Sequence, residues 1–327
     1  MEHATLDKID LKILNTLARD CRTSHRSMAM TIGMTTKSIK ARVDKMISNG
    51  VIENFWVKVN PAIFDYSKLC LLLVQQSKVA KDTCDRLNLV GDLVCKQRYV
   101  GGITGCVLAV KEDSEDKIYL AIDALKPALV QNMFISSPHI NKDLGATDYK
   151  IIKCLLSNPR MEISDIAKAI SCSGKTVSRR LAKMLENRVL EFSIHCNAAA
   201  LGGYIMFNMI ITVEKSFYRR VLEQIYTDLQ EYFLFPSAIT DQENLIALVM
   251  LSKDVFTLDS ILARIQSYEG VKKAEMALPI RAETQYEWII RGINKKLATE
   301  RVPATATPVI ASTNEDLTVD RISGKSR

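Results

Sequence analysis

Leu6-Asp7-Lys8-Ile9-Asp10-Leu11-Lys12-Ile13-Leu14 and Leu144-Gly145-Ala146-Thr147-Asp148-Tyr149-Lys150-Ile151-Ile152 are two versions of one motif, offset by 138 residues. The register runs on without a gap through Glu53 and Glu191. Identical pairs include Asp10/Asp148, Arg22/Arg160, Ala29/Ala167, Lys37/Lys175, Arg42/Arg180, Met46/Met184 and Asn49/Asn187. Apolar pairs such as Leu14/Ile152, Ile39/Val177 and Val43/Leu181 fill the gaps. Chance does not hold such register over some fifty residues, so the chain is a tandem duplication.

Each copy predicts three short helices and a strand. Ile9, Ile13, Leu14 and Leu17 mark the first helix by their spacing. Ser24 caps a second through Ile32, Gly33 supplies a tight turn, and Thr35 caps a third. The core face of the third is Ile39, Val43, Met46 and Ile47, and Asn49-Gly50 ends it before a strand at 51–57. Helix, helix, turn, helix, strand is the order of a winged helix-turn-helix. After each such unit the pattern changes to β-α-β-β-α-β, the ferredoxin-like order. In the first half these elements fall at 69–76, 81–89, 94–100, 106–111, 114–125 and 129–135; in the second at 205–213, 217–229, 233–240, 245–251, 255–268 and 271–278. A helix is expected at 283–297 and a disordered tail beyond about 302. The fold class is therefore α+β. Its domains are 1–60 and 144–200 (winged helix-turn-helix), 61–143 and 201–282 (ferredoxin-like), a C-terminal helix at 283–299 and a tail at 300–327.

The 327 residues are 47% hydrophobic and 25% charged, which excludes a disordered chain, a collagen and a small disulfide scaffold. The longest apolar runs, 69–74 and 204–212, are too short to cross a bilayer as helices, and Met1-Glu2-His3-Ala4-Thr5 has no leader character. The expected setting is cytoplasmic, with no membrane partner. Eight cysteines without a C-x-x-C read as reduced thiols, and four scattered histidines lack zinc spacing, so neither a metal nor a cofactor is expected. The net charge of +7 is unevenly spread. Residues 7–60 hold ten Lys/Arg against five Asp/Glu and residues 144–204 nine against five. By contrast, 61–143 balance at ten each, and 205–282 hold eight against ten. The basic excess lies on the helical units, where double-stranded DNA would bind.

The third helix of each unit carries the expected contacts: Thr36, Lys37, Ser38, Lys40, Ala41, Arg42 and Lys45 in the first, and Gly174, Lys175, Thr176, Ser178, Arg179, Arg180 and Lys183 in the second. Cations and hydroxyls on a helix that fits the major groove can reach phosphates and base edges. The units differ at matched outward positions, Ala41 against Arg179 and Asp44 against Ala182.

Leu6-Asp7-x-x-Asp10-x-x-Ile13-Leu14-x-x-Leu17 and Arg42-Val43-x-x-Met46-x-x-x-Gly50-Val51-Ile52 resemble the opening and close of the helix-turn-helix in Lrp/AsnC (feast/famine) transcription regulators of prokaryotes. The resemblance covers nearly all of 6–280 as two family-length units. It implies specific DNA binding through the third helix, and assembly through the α/β modules. With both units in one chain, it implies an intrachain pseudo-dimer that also associates into homo-oligomers. It further implies an amino-acid-like effector near a glycine turn between the middle strands: Gly101, Gly102, Thr104 and Gly105 in the first module, where the second has Asp241-Gln242-Glu243-Asn244. The second unit departs from the motif by placing Arg188 where the first has Gly50.

Two other readings share the architecture. A protein–protein assembly factor would use the helical units as docking surfaces. An enzyme like the siroheme decarboxylases would need histidines or arginines converging in an α/β pocket. His139 and His195 fall on a connecting stretch and a wing, and Arg98-Tyr99 is the polar pair of interest, so no catalytic residue is assigned.

Overall fold

In the computed structural model, residues 5–75, 87, 90–112, 115–125, 129–136, 143–238 and 244–299 are described. The helix expected at 81–89 (Leu87 apart), His139, the acidic turn at 241–243 and the tail from 300 lie outside them.

Head 1 consists of α1 (Lys8–Arg19), α2 (His25–Ile32), α3 (Thr36–Ser48) and strand β1 (Ile52–Val59). The side chain of Asp7 caps α1 in a capping box with Asp10, Ser24 caps α2 and Thr35 caps α3. Buried Ile13, Leu14, Leu17, Met28, Ile39, Val43 and Met46 form the core of the head. Ile47, expected in that core, is 41% exposed, and its repeat partner Leu185 is 40% exposed. Both lie at the rim of the apolar stripe in the last turn.

Module 1 follows with β2 (Lys68–Gln75), β3 (Asp92–Tyr99), β4 (Ile103–Val110), α4 (Glu115–Leu125) and β5 (Leu129–Ser136). Head 2 repeats the plan with α5 (Ala146–Ser157), α6 (Ile163–Ala169), α7 (Gly174–Glu186) and β6 (Leu190–Cys196). Module 2 is β7 (Ile205–Val213), α8 (Tyr218–Leu229), β8 (Phe233–Ala238), β9 (Leu245–Ser252), α9 (Val255–Gln266) and β10 (Val271–Ala277). Its sheet runs β10-β7-β9-β8.

Three features correct the sequence reading. First, the strand after each third helix takes the other head's strand as its partner, a pairing the sequence leaves open. β1 and β6 pair antiparallel into one two-stranded sheet, with Val57 opposite Phe192 and Phe55 opposite Ile194. Second, the boundary placed at 282 cuts a strand. β11 (Pro279–Thr284) crosses from the end of module 2 to the first sheet, giving the order β11-β3-β4-β2-β5. Third, helix α10 (Glu287–Thr299) begins only after β11, because Trp288, Ile289 and Ile293 are the residues that reach the core.

The halves are interleaved. One continuous apolar cluster joins both heads to Leu234 and Leu251 of module 2, to Phe64 and Ala109 of module 1, and to Trp288 of α10. α1 seats on β8, where the Asn15 amide donates to the Phe233 carbonyl at 2.8 Å. α5 seats instead on α10 and Phe64. The Phe64 ring lies 6.3 Å from Tyr149 and 5.9 Å edge-on from Trp288, and Tyr66 meets Trp288 edge-on at 5.7 Å.

Candidate nucleic-acid interface

The turn between second and third helices sets the angle of the third helix. In head 1 it passes through Gly33 in the left-handed region (φ 80°). Head 2 has no glycine there and holds Ser171 at φ 54°. The close of the third helix repeats the contrast. Val51 N–H donates to the Met46 carbonyl (2.9 Å) across Gly50 at φ 71°, and Val189 N–H donates to Met184 (2.8 Å) across Arg188 at φ 54°.

The N-terminus of each third helix is built alike. Ser38 N–H donates to Thr35 Oγ1 and Thr176 N–H to Ser173 Oγ, each at 3.1 Å. Thr36, Lys37, Lys40, Ala41 and Lys45 are exposed on α3, as are Lys175, Ser178, Arg179 and Lys183 on α7; Ser38, Gly174 and Thr176 are half-buried. Asp44 and Ala182 also face solvent.

Two expected contacts are engaged elsewhere. Arg42 Nη1 pairs with Asp7 and Asp10, both at 2.8 Å, tying α3 to the start of α1. These bonds raise the pKa of the Arg42 guanidinium. Burial pushes Asp7 up, but hydrogen bonds from the Asp10 N–H and Arg42 outweigh it and hold the carboxyl below its usual value. Arg180 repeats the tie with buried Asp148 at 2.9 Å. There, Asp148 Oδ1 and Arg180 Nε are buried with no hydrogen-bond partner among the described residues. Both arginines hold the third helix in place from its inner side, and sequence alone gave no sign of a pair 32 residues apart. Lys183 also reaches Asp143, at 3.3 Å.

The glycine turn assigned to an effector is a tight connection in which Tyr99 pairs with Ile103. Gly101 and Gly102 adopt φ 83° and 74°, Gln75 Nε2 donates to the Gly101 carbonyl at 2.8 Å, and Thr104 is buried. A Cβ on Gly105 would press on Tyr99 and Leu73 at 3.0 and 3.1 Å, so that glycine serves packing.

A cavity of about 480 Å³ lies elsewhere, among Glu53, Asn54, His195, Arg281, Glu283, Thr284 and Tyr286. His195 stacks on Trp56 at 4.5 Å and its Nε2 sits 3.2 Å from Thr284 Oγ1. Burial, with Lys58 nearby, depresses its pKa to about 4, so the ring is neutral at physiological pH. By sequence His195 falls on a wing, away from other candidate side chains. β11 brings Arg281 and Glu283 beside it, an approach that no local pattern announces.

An AsnC-type helix-turn-helix domain matches at 6–47 and again at 144–185. The chain carries two AsnC-type helix-turn-helix domains in tandem. Among its relatives, the HTH-type transcriptional regulator Ptr1 of Methanocaldococcus jannaschii is 27% identical over 140 residues, 39% of this chain and 94% of Ptr1. The HTH-type transcriptional regulator FL11 of Pyrococcus abyssi is 32% identical over 71 residues, 22% of this chain and 47% of its own length. The chain thus spans one such relative almost whole and about half of the other. Among solved structures, the siroheme decarboxylase NirDL is similar to this chain with a TM-score of 0.51 and 15% identity, over 90% of this chain and 99% of that one. At that identity the likeness is one of fold.

Proposed function

We propose that this DNA-binding transcription regulator reads two unequal half-sites at once, as an intrachain pseudo-dimer. The observation that carries the reading is the antiparallel pairing of β1 with β6, which joins two basic heads into one body with α3 and α7 both presenting exposed cations and hydroxyls. Two helices displayed by a paired scaffold are suited to successive major grooves on one face of a duplex. Lys37, Lys40 and Lys45 on α3, with Lys175, Arg179 and Lys183 on α7, supply phosphate and base contacts; Arg42 and Arg180 act by orienting those helices. On the same proposal a small effector with a carboxylate binds at the Gly101–Gly102 turn, where two left-handed glycines put no side chain beside the backbone. Association of whole chains through the sheets belongs to the same reading.

Arg179 faces solvent where head 1 has Ala41. Its guanidinium can bind guanine bidentately, worth about 1–3 kcal/mol of discrimination. Operator selection from randomised duplexes tests this. Arg179→Ala should relax base preference in one half-site, while Lys45→Ala should weaken binding to all sequences and flatten the salt slope by about one unit. A symmetric operator, equally sensitive to both substitutions in both halves, would refute the assignment. Binding without salt dependence would favour a protein-docking role instead.

A further inference from the structure

The heads meet across a two-stranded ribbon that lies on their shared apolar core, and two-stranded ribbons twist more strongly than wider sheets. A second tie restrains them. Arg22 follows α1, and Arg160, its repeat partner, follows α5. Both are presented by the same local turn: the Arg22 N–H donates to Asp20 Oδ1 at 2.8 Å, and the Arg160 N–H to Asn158 Oδ1 at 3.0 Å. From there each reaches into the other head. Arg22 Nη1 donates to the Pro159 carbonyl at 2.6 Å and Nη2 to the Met161 carbonyl at 2.9 Å, gripping the backbone on both sides of Arg160. Its guanidinium lies over the Phe192 ring of β6, 5.3 Å from the centroid. Arg160 in turn lies over the Phe55 ring of β1 at 4.9 Å.

We propose that Arg22 and Arg160 form a reciprocal clasp that fixes the separation and mutual rotation of the two reading helices, making the half-site spacing itself a determinant of specificity. This rests on the DNA-binding reading above. Both are positioning residues. Each lies in the loop before the second helix, so the clasp acts on the frame of the head rather than on its reading surface. A planar fork can hold two carbonyls while stacking on a ring, and an ammonium cannot. Arg22 carries more of the clasp, because it has the two carbonyl bonds as well as the ring.

The test compares the full-length chain with Arg22→Ala, Arg22→Lys and Arg160→Ala in a selection from duplexes whose two half-sites are separated by variable spacers. The unaltered chain should accept one spacing. Arg22→Ala and Arg22→Lys should bind spacers about two base pairs longer or shorter within about tenfold of the optimum, with affinity for a lone half-site unchanged. Arg160→Ala should relax spacing less. Arg22→Lys keeps the charge and stem, and so serves if the alanine variant does not fold. Pulsed electron resonance between genetically encoded spin labels at Met30 and Lys168, exposed repeat partners on α2 and α6, reads the same property without DNA. The distance distribution should be narrow, and should broaden in the Arg22 variants. An unchanged spacing preference and an unchanged distribution would overturn the clasp. Failure of the unaltered chain to bind any duplex would instead sink the DNA reading, and the distance measurement would still decide the clasp.

Discussion

Head 1 turns through Gly33 and closes through Gly50; head 2 makes the same two turns through Ser171 and Arg188, in the same left-handed region. Head 1 seats on module 2 by a side-chain amide bonded to the β8 backbone, whereas head 2 seats on an aromatic platform of Phe64 and Trp288. The capping hydroxyls, the arginine tie to the first helix and the exposed lysines at 37/175 and 45/183 are the same in both. The duplication has thus kept what orients the third helix and let the foundations diverge. Once the copies share a chain, each head rests on different neighbours. Helix α10 brings Trp288 to the platform under head 2, where Phe64 and Tyr66 meet it.

The largest break in this comparison should come from that platform. Trp288 is 4% exposed and meets Phe64 and Tyr66 edge-on. Trp288→Ala should cost about 3–5 kcal/mol. Native-state hydrogen exchange should show α5 losing far more protection than α1, because α1 rests on β8 instead. Equal loss in both helices would mean that the heads share one foundation.

His195 gives the next effect. Its repeat partner is Val57, so the titration belongs to head 2 alone. Burial holds its folded pKa near 4 against 6.5 for an exposed ring. The neutral ring is the form that folding favours. Its stabilisation is complete above pH 6.5 and is lost as the pH falls towards 4, by on the order of 3 kcal/mol in all. His195→Phe keeps a ring against Trp56 and cannot titrate. Denaturant unfolding at pH 7 and pH 4.5 should therefore show a smaller acid loss in the variant than in the unaltered chain. Parallel losses would show that the imidazole is not held neutral.

The duplication, the described helices and the caps at Ser24 and Thr35 are legible in the sequence, because they are written locally: apolar residues at helical spacing and a hydroxyl three residues before the N–H it accepts. The positions of Arg42 and Arg180 were not. Both looked like surface cations, and only packing of the first helix on the third brings Asp10 and Asp148 to them. The pairing of β1 with β6 was equally hidden, since a strand does not name its partner. β11 is six residues long and is followed closely by a helical pattern, so its alternation of half-buried Ala282 and Thr284 with exposed Arg281 and Glu283 is split between the end of module 2 and the expected helix at 283–297. The cavity beside His195 depends on that strand and was missed with it.

The smallest effect is the cleanest test of how the heads diverged. A Cβ at Gly33 or Gly50 would meet nothing within 4 Å, so a side chain there costs backbone strain alone. A non-glycine residue at these angles loses roughly 1–2 kcal/mol, while glycine gives back about 0.5–1 through the freedom of the unfolded chain. Ser171→Gly and Arg188→Gly should each stabilise the protein by up to about 1 kcal/mol, and Gly33→Ser and Gly50→Arg should each destabilise it by as much. Arg188 uses its backbone carbonyl, not its side chain, to accept from Asn60 Nδ2, so that link survives the substitution. Thermal unfolding of the four variants decides the matter. If Gly50→Arg were neutral while Arg188→Gly stabilised, strain at this turn would belong to the surroundings of head 2 rather than to the left-handed angle that both heads share.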